Sequence, residues 1–220
     1  FRVSTDSMVL ADFCRIRPGG RVLDLGCGCG TLGLLLLGAD GTLHVSGIEI
    51  QEAAACQAQE NAEENGFSDH LHIVCGDLRQ AHAQIAPGTF DYVLSNPPYY
   101  PLKSGYLHAQ DSLCAARSEI CCPFDALCAA AARALRWGGR FFLVHKPERL
   151  VDLLTGLRAA RLEPKRIRFV RHRAETAVNL VLIESRLGGG PGLQYEPDLF
   201  LYEQTGELSA EGRRIYHLQE

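Results

Sequence analysis

Short apolar runs alternate with stretches of helical composition along most of the chain, the pattern of βα units built around a parallel sheet. "RVLDLG" (21–26) predicts a first strand and "LHVSGIEI" (43–50) a second, with "TLGLLLLG" (31–38) a short helix between them that ends at Gly38. "EAAACQAQENAEENG" (52–66), rich in Ala, Glu and Gln and closed by Gly66, predicts a surface helix with a glycine cap. "LHIVCGD" (71–77) and "FDYVLS" (90–95) predict a third and a fourth strand, and residues 101–120, which show no regular period, read as a long loop. "PFDALCAAAARALRWGG" (123–139) predicts a helix with Pro123 at its start and glycines at its stop; "RFFLVH" (140–145) and "PERLVDLLTGLRAA" (147–160) predict the strand and helix of a fifth unit. The rhythm then changes. "KRIRFVRH" (165–172) and "AVNLVLIES" (177–185) are strand-like runs joined by a short polar link, so they predict an antiparallel hairpin.

The expected fold is therefore α/β, with a mostly parallel Rossmann-like sheet of seven strands that ends in an antiparallel C-terminal hairpin. "LGGGPG" (187–192) breaks the pattern, and the tail beyond it reads as a strand-like piece and a short helix. Residues 1–186 are expected to form one domain, with 187–220 a C-terminal extension packed on it. Composition is that of a soluble globular chain, 46% apolar and 22% charged, and no run approaches the ~18 apolar residues of a membrane span. Nine cysteines form no C-x-x-C pair, so neither a disulfide framework nor a metal site is expected, and a reducing cytoplasm suits them.

The candidate chemistry lies at the predicted strand ends. "VLDLGCGCGTLG" places Gly26, Gly28 and Gly30 at a strand-to-helix turn, where glycines let the backbone and the helix amides approach a ligand. Asp24 precedes this loop, Glu49 closes the second strand where an acid accepts from ribose hydroxyls, and Asp77 ends the third in "CGDL", placed to meet an adenine amino group. Taken singly, each acid also reads as a solvated strand end or a helix cap. Gly33 leaves an NAD-type loop open. Asp24 speaks against it, because a carboxylate sits poorly beside a pyrophosphate and well beside a ligand bearing an ammonium and a sulfonium.

"SNPPYY" (95–100) ends the fourth strand with more chemistry than a turn requires. The lone pair of an exocyclic amine is delocalised into its ring, and the amine attacks poorly until acceptors draw on its hydrogens. The side-chain carbonyl of Asn96 and the backbone carbonyl of Pro97, stiffened by Pro98, are two such acceptors, and Tyr99 has a flat face for a planar base. Ser95 is unexplained by this division, and Tyr100 either extends the stacking surface or packs below the turn. His145, at the end of the fifth strand, reads as structural rather than as a base.

"VLDLGCGCG", "GIEI", "CGDL" and "SNPPYY" together resemble the class I S-adenosylmethionine-dependent methyltransferases that modify a planar amino nitrogen through an N-P-P-Y motif. The resemblance spans roughly Arg21 to His145. It implies their seven-stranded sheet, S-adenosyl-L-methionine as cofactor and S-adenosyl-L-homocysteine as product. It further implies Asp24, Gly26, Gly28 and Gly30 around the methionine part, Glu49 at the ribose and Asp77 at the adenine, with Cys27, Ile50, Leu78 and Asn96 also bordering the cofactor. Asn96, Pro97, Pro98 and Tyr99 would then hold the target amine. "FRVSTDSMVLADFC" at the start, "AARSE" (115–119) and the ending from "NLVLIES" to "GRRIY" resemble the bacterial family related to tRNA(Val) adenine N6-methyltransferase, which implies tRNA as partner and an adenine beside the anticodon.

The same motif serves protein glutamine methyltransferases of the release-factor type, and a non-catalytic RNA-binding protein of this fold is the rival from another class. The net charge of −4 does not advertise nucleic-acid binding, but "RLEPKRIRFVRHR" (161–173) sets six cations against Glu163. On a strand Arg166 and Arg168 share a face. Two readings stay open: a ridge that, with Tyr99 and Tyr100, contacts RNA, or a solvated edge whose arginines block further pairing.

Overall fold

Five strands pair in parallel in the computed structural model: β1 (Arg21–Leu25), β2 (His44–Glu49), β3 (Leu71–Cys75), β4 (Phe90–Ser95) and β5 (Leu135–His145), in the order β3-β2-β1-β4-β5. The structure describes residues 4–83, 85–99 and 124–217; Tyr100, Cys121, Cys122, Pro123, the 101–120 segment and "AARSE" fall outside them. Both faces of the sheet are covered, so β1 from Val22 to Leu25 and β5 from Phe141 to His145 are buried at every position instead of alternating. Successive residues point to opposite faces and divide the core in two. Val22, Leu94, Phe142 and Val144 pack with one cluster, and Leu23, Val93, Phe141 and Leu143 with the other.

Helices α2 (Thr31–Ala39) and α3 (Glu52–Glu64) follow β1 and β2, while β3 runs into a 3-10 turn, Leu78–Ala83. Helix α4 (Phe124–Ala134) stops sooner than its pattern predicts. Trp137, Gly138 and Gly139 belong to β5, whose register with β4 shifts between Phe90 and Tyr92; Gly138 takes φ 78°, which glycine adopts without strain. Helix α5 (Leu150–Ala159) leads to β6 (Leu162–Arg171), and β7 (Val178–Leu187) pairs antiparallel with both β5 and β6. The hairpin is thus present, with β7 rather than β6 next to the parallel strands.

The expectation of seven strands is corrected to nine among the described residues. β8 (Gln194–Tyr195) and β9 (Leu199–Phe200) both lie parallel to β6 and cover its outer edge. Two residues each are too few to show a period in sequence. The N-terminal stretch also folds, as α1 (Thr5–Phe13), capped by Ser4 Oγ accepting from the Ser7 backbone N at 3.2 Å and buried through Val9, Leu10 and Phe13. The tail closes with α6 (Ala210–Ile215).

The tail and α1 occupy the face of β6 that carries its arginines, which overturns the phosphate-contacting ridge. Arg166 is buried, its guanidinium 3.8 Å from the Phe13 ring centroid. Its Nε donates to Glu184 at 2.7 Å, its Nη1 to both oxygens of Glu196 at 3.2 Å, and its Nη2 to the Phe13 carbonyl at 2.6 Å. Arg168 forks onto Glu211 at 2.8 and 2.9 Å, and Arg171 meets Asp198 at 2.7 Å. An edge strand rich in cations finds its partners in the acids of its own tail, and the paired arginines are not presented to a polyanion.

Removing one partner of such a buried network strands the other charges. Arg166→Ala is expected to cost about 3–5 kcal/mol of unfolding free energy in urea titrations, whereas the exposed Arg173→Ala should stay within about 0.5 kcal/mol of wild type.

Candidate active site

Between β1 and α2 the chain turns through Gly26, Gly28 and Gly30 at φ 75°, 55° and 81°, a run of left-handed conformations that only glycine makes cheaply. The loop is fastened to the end of β2. The Gly26 and Cys27 amides donate to the Ile48 carbonyl at 2.9 and 3.1 Å, and the Gly28 amide donates to Glu49 Oε2 at 3.0 Å. Glu49 Oε1 accepts from the Gln51 amide at 2.9 Å, so the buried carboxylate holds both the glycine loop and the start of α3. Each of its oxygens keeps a second lone pair for a ligand. Cys27 turns its thiol beneath the loop, where a Cβ on Gly47 would stand 2.6 Å from Sγ; burial pushes that thiol far up and leaves its backbone as what it presents to the loop. Ile50 is exposed beside the loop, and Leu78 is half-buried against the α4 side of the core.

The acids of β1 and β3 differ sharply. Asp24 is 1% exposed, and neither carboxylate oxygen has a hydrogen-bond partner among the described residues. Burial first, and then the charge of Glu49, push its pKa up from 3.8 to about 7. Asp77 is forked by Arg79, with Nε at 3.0 and 2.8 Å from its two oxygens, and also caps the 3-10 turn through the Arg79 amide at 2.9 Å. The arginine hydrogen bonds hold its carboxyl below the usual range.

At the end of β4 the buried Ser95 hydroxyl donates to the Leu25 carbonyl at 2.8 Å, which joins the motif to the glycine loop and accounts for the serine that sequence reasoning left aside. Asn96 Nδ2 donates to Ser7 Oγ at 3.2 Å, and the Tyr99 hydroxyl donates to Asn96 Oδ1 at 2.6 Å. The Pro97 carbonyl accepts no hydrogen bond among the described residues, and Pro98 is exposed. The Tyr99 ring stands edge-on to His145 at 5.1 Å with Lys146 Nζ 5.5 Å from its centroid, and burial, reinforced by Asp6, keeps its phenol protonated. His145 Nδ1 accepts from the Lys146 amide at 2.8 Å, which places the ring proton on Nε2; burial lowers its pKa to about 4. A neutral imidazole tied in this way is a structural support for Tyr99.

Asp24, Glu49, the glycines and Ser95 to Tyr99 therefore meet at adjacent strand ends, with Asp77 one strand further out. Arg166 and Arg168 do not join them. Sequence reasoning missed Ser7 and Lys146, although the Ser4-Thr5-Asp6-Ser7 run is a recognisable helix-capping signal.

The family described as "Methyltransferase small domain" matches residues 2–154. The tRNA1(Val) (adenine(37)-N6)-methyltransferase of Dickeya chrysanthemi is 34% identical over 190 residues, 86% of this chain and 74% of that protein. The chain belongs to the methyltransferase small-domain family, on the tRNA1(Val) (adenine(37)-N6)-methyltransferase branch. The enzyme of that name from Porphyromonas gingivalis is also 34% identical, over 97% of this chain and 86% of its own length. Among solved structures, a predicted O-methyltransferase from Agrobacterium tumefaciens superposes with TM-score 0.81 at 19% identity, covering 97% of this chain and 96% of that one. Geranyl diphosphate methyltransferase in complex with SAM gives 0.61 at 16% identity, over 82% and 84% of the two chains. At such identities these two structures support the methyltransferase fold alone.

The residues present fit the cofactor of this methyltransferase fold. An orphaned buried carboxylate calls for a cation, and S-adenosylmethionine carries an ammonium beside its sulfonium. Asp24, the left-handed glycines and Glu49 are the groups that would hold it. A folded-state pKa above the ordinary value means that the neutral Asp24 is favoured: its stabilisation is complete below about pH 4 and is lost as pH rises through about 7. The ligand-free protein should thus lose on the order of 4 kcal/mol between those limits, at 1.36 kcal/mol per pK unit. Asp24→Asn should remove that pH dependence, as checked by urea unfolding from pH 4 to 8, while cofactor affinity in wild type rises over the same range as the carboxylate ionises.

Proposed function

We propose that this chain transfers a methyl group from S-adenosyl-L-methionine to the N6 amine of an adenine in RNA, with tRNA as the partner and the adenine 37 position of tRNA1(Val) as the type of target. The observation that carries the proposal is the joining of two acceptors, Asn96 Oδ1 and the Pro97 carbonyl, to the glycine loop by the β1–β4 ladder and the Ser95–Leu25 hydrogen bond. The bound cofactor supplies an electrophilic methyl on sulfonium. The protein's part is positional. Asn96 and Pro97 would draw on the two amine hydrogens and return the nitrogen lone pair from the ring, the nitrogen would shed one of those protons to solvent once methylated, and Tyr99 would stack on the flipped base. The Tyr99 hydroxyl takes one lone pair of Asn96 Oδ1, and the second is left for the incoming amine.

The relatives named for tRNA1(Val) support adenine over a protein glutamine, which the motif alone does not distinguish. A tRNA substrate also implies a cytoplasmic enzyme. On this reading residues 1–186 carry the chemistry and 187–220 are an extension of the same domain, in keeping with β8 and β9 lying on β6.

Incubation with labelled S-adenosylmethionine and bacterial tRNA, DNA or release factor, followed by mass spectrometry, is expected to yield N6-methyladenosine in tRNA. Methylglutamine would overturn the RNA assignment, and absence of label from every acceptor would favour a binding protein. Asn96→Ala should lower kcat by about a hundredfold or more, the scale of losing a preorganised polar contact, while cofactor binding by calorimetry persists. Near-normal turnover in that variant would remove Asn96 from its role.

A further inference from the structure

We infer that Ser7 is a positioning residue that sets the Asn96 carboxamide with its oxygen toward the target amine. The inference rests on the reading of Asn96 as the amine acceptor. The oxygen and the amino group of a carboxamide are nearly the same size, so packing does not choose between them, yet a flip turns the acceptor into a donor facing another donor. The polarity has to come from hydrogen bonds.

Helix α1 contributes one of them, with Ser7 Oγ on the acceptor side. Ser4 Oγ accepts from the Ser7 backbone N at 3.2 Å and donates to Ser7 Oγ at 3.1 Å. Ser7 Oγ accepts from Asn96 Nδ2 at 3.2 Å, and on the far side of the carboxamide Oδ1 accepts the Tyr99 hydroxyl. Ser7 is 7% exposed, so water competes little for the contact. The helix that carries it is itself held in place: Arg166 grips the Phe13 carbonyl, Arg214 forks onto Asp12, and Thr5 bonds the Tyr216 hydroxyl at 2.8 Å. Its grip on Asn96 is thereby backed by the C-terminal tail, and Pro97 stiffens the backbone on the other side.

Ser7→Ala separates positioning from folding. The helix cap survives, because Ser4 bonds the backbone N of residue 7, and alanine is the better helix former. The chain has four asparagines, Asn61, Asn65, Asn96 and Asn179, so asparagine-selective 15N labelling gives few side-chain amide signals, and the Asn96 pair is assigned by its loss in Asn96→Asp. Ser7→Ala is expected to speed hydrogen exchange at the Asn96 amide about tenfold and to lower kcat by a similar factor, the scale of one net hydrogen bond. Cofactor affinity should stay unchanged and the unfolding midpoint should fall no further than the loss of one hydrogen bond allows, and Ser7→Thr, which keeps the hydroxyl, should restore both exchange and kcat.

Unchanged amide exchange in Ser7→Ala overturns the inference, as does altered exchange with unchanged kcat. So does a loss of cofactor affinity in parallel with kcat, or a Ser7→Thr variant no better than Ser7→Ala. If the wild type methylates no acceptor while the Asn96 amide still responds to Ser7, the orienting contact stands and the proposed function is what fails.

Discussion

A hydroxyl buried between two parallel strands, Ser95 Oγ on the Leu25 carbonyl, holds together the two halves of the site. β1 lies between β2 and β4, so the connections leaving β1 and β4 open at neighbouring points along the same edge of the sheet. That is the switch point where an open α/β sheet leaves a crevice. Adjacent strands alone bring the glycine loop and the N-P-P-Y turn near each other. The register of the β1–β4 ladder sets their relative height and the serine secures it with a bond that water does not reach; the distance from methyl donor to acceptor amine is what a transfer reaction is most sensitive to.

The three acids at the ends of β1, β2 and β3 show how environment assigns roles to like side chains. Glu49 spends one lone pair of each oxygen on backbone amides and keeps the glycine loop closed. Asp77 is neutralised by Arg79 and caps a turn. Among the described residues Asp24 has neither amide nor arginine as partner, and burial leaves it with a cost that a cationic ligand relieves. Of the three, the carboxylate the fold leaves unpaired is the one poised to favour ligand binding.

The arginines of β6 organise the other side of the molecule. A row of cations on an edge strand invites either solvent or acidic partners, and here Glu196, Asp198 and Glu211 of the tail close over it. The same buried guanidinium takes the last carbonyl of α1, so the N-terminal helix, the hairpin and the tail share one polar knot. Through Ser7 that knot reaches the motif at the end of β4. This is a contiguous chain of contacts, and a change in the tail has a physical route to the site.

Most of the strands, the glycine turn and the donors and acceptors that residues 95–99 offer were legible in the sequence because they depend on local facts: the period of apolar positions, the conformations open to glycine, and the polar groups of neighbouring residues. What only the tertiary structure decided concerns partners far apart in the chain. Helix α1 is buried chiefly by long-range packing, and β8 and β9 are too short to carry a period. Arg166 and Arg168 share a face on any strand, but whether RNA or the protein's own tail covers that face depends on what lies beside β6. The identity of Asn96 was written locally; the orientation of its amide depends on a serine 89 residues earlier, brought to it by the fold.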